Sequence, residues 1–314
     1  MAAMGQVRQP RGTAIALRDP RPWPAFAGAA RLTEELGYSA VILPEIAGRD
    51  ALAALTGLAG ETTALLLGTG VLPMTSRSAR LTAMGAATVQ ERSGGRAILG
   101  LGTGPAVPGA LDRLRDLVRE VRSLLRGEKV GGSRLSLPLP APVPIWIAAL
   151  GPRALRTAGE VADGVLLNWC APERVAAARA AVRTAAEAAG RDPGEVTIAA
   201  YVRASLDGDG AAALEALRAA AGEYASYPAY ARQFAAAGLA DEADAAAAAH
   251  RARRPELVPE ALVRAVALRG DPGAARERLE AYRDAGADLA VVYPVVAGPD
   301  PERSLVATIR ALAP

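Results

Sequence analysis

Short apolar runs, each followed by a segment with helical spacing, recur along the whole chain. Eight of these runs are candidate β-strands, at residues 13–17, 40–43, 65–71, 97–101, 143–148, 164–167, 196–202 and 289–293. A strand that is apolar at every position is typical of a parallel sheet, because helices cover both of its faces. Eight strand–helix units in series predict an α/β fold, a closed (β/α)8 TIM barrel that forms one domain over residues 1–314.

Two segments are longer than a minimal barrel requires. Residues 131–144 carry four prolines at alternate positions near their end, which favours an extended connector into the fifth strand. Residues 210–268, between the seventh and eighth strands, are rich in alanine and predict packed helices. Active sites of this barrel lie at the carboxyl ends of the strands, so we expect this helical insertion to overhang the site as a lid or a substrate wall.

Composition limits the classes of function. Of the 314 residues 51% are hydrophobic and 22% are charged, with a net charge of +3, which is ordinary for a soluble globular protein. Cys170 is the single cysteine and His250 the single histidine. An internal disulfide is therefore excluded, no metal site is expected, and a reducing cytoplasm fits.

We expect neither a membrane nor a nucleic acid as a partner. No apolar run reaches the about 18 residues that a spanning helix needs, and residues 1–11 lack the apolar centre of a signal peptide. The densest basic cluster comprises Arg251, Arg253 and Arg254 without interleaved aromatic residues. Such a cluster is typical of a solvated helix end and not of a nucleic-acid surface.

The fifth strand turns through small residues directly into a helix. The residues of this turn are Ala148, Ala149, Leu150, Gly151 and Pro152. The free N–H groups and the positive dipole end of a helix N-terminus attract anions. Pro152 suits the first helical position, and Arg153 adds a fixed charge beside it. The turn is therefore a candidate phosphate site, although every strand–helix unit needs some turn of this kind.

A second candidate phosphate loop ends the fourth strand. It consists of Gly102, Thr103 and Gly104. Glycines allow backbone N–H groups to approach an anion closely, and Thr103 offers a hydroxyl. An ordinary barrel turn is the alternative. The presence of both loops, well separated in the sequence, argues more strongly for a phosphate site than either loop alone.

The order of the glycine-containing motifs resembles that of the luciferase-like flavin and deazaflavin oxidoreductases. The matching segments are Leu-Gly-Thr-Gly-Val-Leu-Pro at 67–73, Ala-Thr-Val-Gln-Glu-Arg-Ser-Gly-Gly-Arg at 87–96, Leu-Gly-Leu-Gly-Thr-Gly at 99–104, and residues 148–152 and 162–165. They span nearly the whole chain. Within that family the chain is most similar to users of the deazaflavin coenzyme F420, the group that contains methylenetetrahydromethanopterin reductase; users of flavin mononucleotide (FMN) share the fold and most of the motifs.

The resemblance implies where the cofactor and a partner subunit lie. Gly70 and Val71 match the family position of a non-prolyl cis peptide behind the central ring of the cofactor; a strand end loosened by glycine is the alternative. The cofactor phosphate is expected between Thr103–Gly104 and the helix after Gly151. A homodimer is expected, because relatives pair through helices near the second to fourth strands, and residues 81–87 offer a close-packing helix face.

Polar residues after the second and third strands are candidates for catalysis and anion binding. Many relatives carry an acid–histidine pair near Glu45, and this chain has no histidine there. Glu45 is therefore the best candidate proton donor; capping of the helix that begins near Asp50 and pairing with Arg49 are the alternatives. Arg77 and Arg80 are candidates for binding the anionic tail of the deazaflavin or an acidic substrate. A solvated first turn of a helix is the alternative for both.

Three residues after the sixth strand lie on the same face. Asn168 and Trp169 are candidate cofactor contacts, with the indole of Trp169 as an apolar wall for the ring system. Cys170 has no histidine to activate it and is expected to be a small packed residue instead of a nucleophile.

These residues lead us to expect an enzyme that transfers a hydride between F420 and a small organic substrate, by reduction of a C=C or C=N bond. A deazaflavin is a hydride carrier, because carbon replaces the nitrogen through which reduced flavins react with oxygen. The alternatives are an FMN-dependent monooxygenase of the same fold and a barrel that binds flavin without turnover. Pro105, Ala106 and Val107 stand where sugar-phosphate dehydrogenases of the family have a glutamate, which argues against that substrate class.

Overall fold

Eight parallel strands close into a barrel. The computed structural model describes residues 11–18, 21–104, 107–206 and 209–314. Ten strands lie in those ranges: β1 (Gly12–Ala16), β2 (Ala40–Leu43), β3 (Leu66–Thr69), β4 (Leu72–Pro73), β5 (Ala97–Gly102), β6 (Ile145–Ala148), β7 (Gly164–Asn168), β8 (Thr197–Ser205), β9 (Ala267–Arg269) and β10 (Leu289–Pro294). The ring runs β1–β2–β3–β5–β6–β7–β8–β10, and β10 pairs with β1. The predicted (β/α)8 barrel is confirmed. Pro105 and Ala106, and residues 1–10, lie outside the described residues.

Helices surround this barrel. In the described ranges they are α1 (Trp23–Glu35), α2 (Ala51–Leu58), α3 (Ala79–Arg92), α4 (Ala110–Leu125), α5 (Pro152–Val161), α6 (Pro172–Ala188), α7 (Gly210–Ala225), α8 (Pro228–Ala236), α9 (Ala240–Arg251), α10 (Glu260–Val266), α11 (Pro272–Asp284) and α12 (Pro301–Ala311), with 3-10 helices at Pro193–Glu195 and Pro255–Leu257. Several starts follow local chemistry: Asp50, Ser78 and Asp271 each accept a hydrogen bond from the N–H three residues on. None of these helices combines the length and apolarity needed to cross a bilayer.

Alternate residues of each strand face opposite sides of the barrel wall. Those that face inward form one buried cluster: Ala14, Ala16, Ala40, Ile42, Leu66, Ile98, Trp146, Leu166, Ala199, Tyr201, Leu289, Val291 and Tyr293. The residues between them face the helices and form the larger core of the molecule. This two-sided burial explains why the strands are apolar at nearly every position, and it fixes which residues point into the barrel at its carboxyl end.

The predicted strand at 65–71 is shorter than expected. β3 ends at Thr69, and the peptide bond between Gly70 and Val71 is cis, as the family position predicted. The chain then forms the short β4, which pairs with β5 at Leu101 and Gly102. Two consecutive short strands therefore stand where the apolar pattern indicated one.

Helices α7 to α10 lie between β8 and β10, and we call this segment the helical insertion. Its helices α7 to α10 share an apolar cluster that includes Leu217, Phe234 and Leu262. The insertion ends in β9, which pairs with residues 203–205 of β8. β10 occupies one edge of β8 and β7 occupies the first half of the other edge, so β9 continues the β7 side of β8. The insertion is thus attached to the barrel by a strand at its carboxyl end.

Candidate active site at the carboxyl ends of the strands

The mouth of the barrel, where the strands end, has two unlike halves. Gly70 directly follows β3, and Gly102 and Ala148 are the last inward positions of β5 and β6; we call these three residues the small-residue half. Near the carboxyl ends of β7, β8 and β10 the inward positions Asn168, Arg203 and Tyr293 carry polar side chains, and we call these three the polar half. Each half comes from three consecutive strands of the ring. One half of the mouth therefore carries at most a Cβ at these positions, and the other half carries polar side chains.

Close packing requires glycine at Gly70. The phenol Oη of Tyr201 donates a hydrogen bond to Gly70 O at 2.7 Å. A Cβ at Gly70 would stand 2.1 Å from that Oη and 2.3 Å from Ile42 Cγ2, closer than any side chain tolerates. Behind it, Thr69 Oγ1 donates to Gly100 O at 2.9 Å and accepts from Gly100 N at 2.8 Å. These bonds fix β3 against β5 at the small-residue half.

The two predicted phosphate loops are neighbours in the structure. β5 and β6 pair through Leu101 and Ile147, so the loops that follow them lie side by side. Thr103 is half-buried, with its hydroxyl donating to Gly104 O at 3.1 Å, and Gly104 is exposed with φ of +67°. The left-handed conformation at Gly104 is one that glycine adopts without strain.

The second loop presents the N-terminus of α5. Gly151 is its N-cap, in extended conformation and without a side-chain cap, and Pro152 takes the first helical position. No atom lies within 4 Å of where a Cβ of Gly151 would stand, and Arg153 beside it is exposed. Arg174 Nη2 donates to Leu150 O at 2.5 Å and steadies the loop. The first N–H groups of α5 are therefore open to an anion.

Glu45 joins two loops at the mouth. Its Oε2 accepts from Arg77 Nη2 at 2.7 Å and from Ala51 N at 2.9 Å, so it both caps α2 and forms an ion pair. The pair is with Arg77; the alternative partner suggested by sequence, Arg49, instead places its guanidinium over the Phe26 ring at 5.1 Å. The hypothesis of a Glu45–Arg49 pair was therefore wrong, because Arg77 reaches Glu45 from the next loop.

Arg77 is shared with a second carboxylate. Its Nη2 lies 2.8 Å from Asp50 Oδ2. Partial burial alone would raise the pKa of Asp50, but hydrogen bonds from Ala53 N and from Arg77 outweigh it, and the pKa is lowered. Arg77 is thus engaged in ion pairs. Arg80 is exposed in the first turn of α3, which matches the alternative of a solvated first helical turn.

The turn after β7 is held by the insertion. Asn168 Nδ2 donates to Tyr230 Oη at 2.7 Å. Gln233 Nε2 donates to Asn168 O at 2.8 Å and to Trp169 O at 2.6 Å. Trp169 has φ of +50° and is 1% exposed within the apolar cluster of the insertion. Its proposed role as a wall for a cofactor ring stays a prediction.

Cys170 is a packed residue, as expected. It is buried, and burial raises the pKa of its thiol to about 12, against a smaller opposite effect of Arg174. A thiol of that pKa is not a nucleophile near neutral pH.

Sequence reasoning missed the residues that dominate the polar half. Arg203 is 3% exposed, and its guanidinium carbon lies 3.6 Å from the centre of the Tyr293 ring and 4.9 Å from that of Trp169. The predicted strand ended at residue 202, three positions before the observed end of β8 at Ser205. The alternation of inward residues Ala199 and Tyr201, extended by one step, places Arg203 inside the barrel. Gln233 and Tyr230 carried no signal, because their partners are distant in sequence.

Comparisons with known proteins agree with this architecture. The model of the luciferase-like monooxygenase family matches residues 3–289. The chain is 38% identical over 210 residues to 5,10-methylenetetrahydromethanopterin reductase of Methanolobus tindarius, which covers 61% of this chain and 64% of that protein. It is 32% identical over 194 residues to F420-dependent glucose-6-phosphate dehydrogenase of Mycolicibacterium gilvum, over 53% of this chain and 57% of that protein. The matched part thus spans less than two thirds of each relative.

A solved structure shows the same fold over nearly the whole length. The coenzyme F420 dependent tetrahydromethanopterin reductase from Methanopyrus kandleri superposes with a TM-score of 0.79 at 24% identity, over 97% of this chain and 99% of that chain. Because the family model covers most of the sequence, the chain belongs to the luciferase-like monooxygenase family.

Proposed function

We propose that this chain is an F420-dependent oxidoreductase, an enzyme that transfers a hydride between coenzyme F420 and a small organic substrate, by reduction of a C=C or C=N bond. The observation that carries the proposal is the small-residue half of the mouth beside an open helix N-terminus. One similar protein is named as an F420-dependent glucose-6-phosphate dehydrogenase, and another as a 5,10-methylenetetrahydromethanopterin reductase. These names support F420 as the cofactor.

The residues present fit a phosphorylated, planar cofactor. Gly70, Gly102 and Ala148 carry at most a Cβ, so none of these three positions projects a long side chain toward a flat ring system. The first N–H groups of α5 and the hydroxyl of Thr103 are donors for the phosphate, and Arg153 adds charge. Val71, Ala149, Leu150 and Pro152 shape the same loops. When bound, F420 supplies or accepts the hydride at a ring carbon.

The remaining chemistry falls to this chain's own side chains. Reduction of a double bond needs a proton at the atom that does not receive the hydride, and Glu45 is our candidate to deliver it. The backbone N of Glu45 donates to Val71 O at 3.4 Å, which places the residue beside the small-residue half. Its hydrogen bonds with Arg77 and Ala51 give it a structural role as well. If Glu45 delivers the proton, a Glu45→Gln variant loses reaction rate. If its role is structural, the variant loses stability instead.

The insertion acts as a substrate wall in this proposal. Tyr230 and Gln233 are hydrogen-bonded to the end of β7, and β9 is paired with β8. These contacts favour a fixed wall instead of a moving lid. Asn168 and Trp169 then lie between wall and cofactor. The expected substrate is a small molecule.

We also propose a homodimer in the cytoplasm. Leu81 and Met84 lie one turn apart on α3 and are 51% and 45% exposed. This apolar pair lies on the helix at which relatives are expected to pair. A reducing compartment suits the single cysteine.

Titration of the purified protein with F420 and with FMN, followed by absorbance and fluorescence, tests the cofactor. We expect F420 to bind more tightly than FMN. Preference for FMN with oxygen consumption would identify a monooxygenase instead. Binding of F420 without oxidation of reduced F420 by any of a panel of enones and imines would leave a flavin-binding barrel without turnover.

A further inference from the structure

Arg203 is a buried cation without a counter-ion among the residues that the structure describes. Its side chain is 3% exposed, and its Nη1 has no hydrogen-bond partner. Within the described ranges, no Asp or Glu oxygen lies within 4.0 Å of a guanidinium nitrogen of Arg203. A buried charge is costly unless it is paired and hydrogen-bonded. Such a residue needs an explanation.

Aromatic rings compensate the charge only in part. Tyr293 stands directly opposite Arg203 on β10, with its ring centre 3.6 Å from the guanidinium carbon. The rings of Trp169, Tyr201 and Tyr224 lie at 4.9, 5.5 and 5.5 Å. Ring faces attract the cation, but they leave the five in-plane N–H donors of a guanidinium without acceptors. The rings therefore hold the group in place and leave its hydrogen-bonding capacity open.

Other polar atoms near Arg203 also have no partner. Ser205 follows two positions later on the same face of β8, is fully buried, and its Oγ makes no hydrogen bond within the described part of the chain. The Asn168 side chain donates a hydrogen bond from Nδ2 to Tyr230, whereas its Oδ1 is buried without a partner among the described residues. Three unsatisfied side chains on the neighbouring strands β7 and β8 indicate a site built for a polar ligand.

We propose that Arg203 binds an oxyanion group of the substrate, a carboxylate or a phosphate, with Ser205 as a second donor. This inference rests on the proposed function, because only an enzyme has a substrate, and it narrows the substrate class to anions. A planar guanidinium binds such groups through two parallel hydrogen bonds. Arg203 is thus a binding residue that determines specificity.

The substrate is a better source of this anion than the cofactor. The loops proposed for the cofactor phosphate follow β5 and β6, whereas Arg203 lies on β8, in the opposite half of the mouth. Tyr224 of α7, in the insertion that forms the proposed substrate wall, has its ring centre 5.5 Å from the guanidinium carbon of Arg203. The polar half therefore faces the substrate side.

Calorimetric titration of the cofactor-free protein at fixed ionic strength tests the proposal. The probes are acetate, benzoate and inorganic phosphate, with benzamide as the neutral match for benzoate. We expect the wild type to bind benzoate at least about 10-fold more tightly than benzamide, Arg203→Gln to lose this preference, and Arg203→Lys to retain part of it, because lysine keeps the charge but not the fork. Arg183→Gln, an equal change of charge on the exposed face of α6, is the matched control and should behave as the wild type.

Three outcomes overturn the proposal. The first is equal binding of benzoate and benzamide, or no binding of any of the three anions below about 10 mM. The second is a benzoate preference that survives in Arg203→Gln; if that variant does not fold, an Arg203→Lys variant with wild-type affinity for benzoate has the same meaning. The third is a loss of F420 affinity of about 10-fold or more in Arg203→Gln, which assigns the residue to the cofactor. If the wild type binds no F420 at all, the proposed function fails, and the benzoate comparison still decides whether Arg203 is an anion site.

Discussion

The phenol of Tyr201 on β8 is hydrogen-bonded across the barrel to the carbonyl oxygen of Gly70, with 2.7 Å between Oη and O. Burial raises the pKa of Tyr201 well above its ordinary value, so the phenol stays protonated and remains a donor. The bond connects the strand that carries Arg203 with the small-residue half of the mouth. One side chain thus adds a direct hydrogen bond across the barrel to the pairing of the strands around it.

Removal of this donor should cost stability. Tyr201→Phe leaves the buried Gly70 carbonyl without its partner, and we expect the free energy of unfolding to fall by about 1–3 kcal/mol in urea titrations. Tyr227→Phe is the matched control, because Tyr227 is exposed and donates only to Glu223 at 3.2 Å. Equal stability of the two variants would show that the Tyr201–Gly70 bond contributes nothing measurable.

A charge at the α5 N-terminus should separate binding from folding. Gly151→Asp places a carboxylate where the cofactor phosphate is proposed, so affinity for F420 and for FMN should fall by about 10-fold or more. Aspartate is a favourable N-cap, and thermal stability should not decrease. Gly210→Asp adds the same charge at the first residue of α7, far from both phosphate loops, and should bind as the wild type. Unchanged F420 and FMN affinity in Gly151→Asp would place the phosphate elsewhere.

Glu45→Gln tests proton delivery. The substitution removes the titratable proton, and loss of a general acid typically slows a reaction about 100-fold. Arg77 keeps Asp50 as a partner, so we expect a loss of unfolding free energy of about 1 kcal/mol or less. Asp50→Asn removes the other partner of Arg77 and should leave the rate of reduction near the wild-type value. A rate that is unchanged in Glu45→Gln at every pH would leave solvent as the proton source and Glu45 as a helix cap.

The lowered pKa of Asp50 predicts an acid-dependent contribution to stability. A carboxyl whose folded-state pKa lies below its unfolded value stabilises the fold above that unfolded value, about pH 4, and this contribution disappears as the pH falls through the folded-state pKa. The difference in unfolding free energy between the wild type and Asp50→Asn should therefore shrink between about pH 5 and about pH 2. Asp244→Asn, an exposed site on α9, is the control. A constant difference over this range would contradict the assignment.

The proposed dimer depends on α3. Leu81→Glu together with Met84→Glu should convert the dimer into monomers, because each substitution places a charged carboxylate in an apolar contact. Sedimentation velocity at micromolar concentration measures this change. Leu257→Glu, at a comparably exposed apolar residue of the insertion (52%), should stay dimeric. A wild-type protein that sediments only as a monomer would refute the interface outright.

The barrel was predictable because its signal is local. Each long strand is a continuous apolar run, and each candidate phosphate loop is a short run of small residues directly after its strand. The strands β4 and β9 were not predicted, since two or three residues are too few to show a period. The Glu45–Arg77 pair and the surroundings of Arg203 depend on loops and strands far apart in the chain, so no spacing in the sequence indicates them.

The pairing of β9 with β8 makes the insertion an exchangeable cassette. It leaves the barrel after β8 and returns to the free edge of that same strand, so both of its attachment points lie on a single β-strand. Replacement of residues 210–266 by the corresponding segment of a relative leaves β5, β6 and both phosphate loops untouched. A barrel of this design can change the compounds it accepts through one contiguous graft while its cofactor side stays constant.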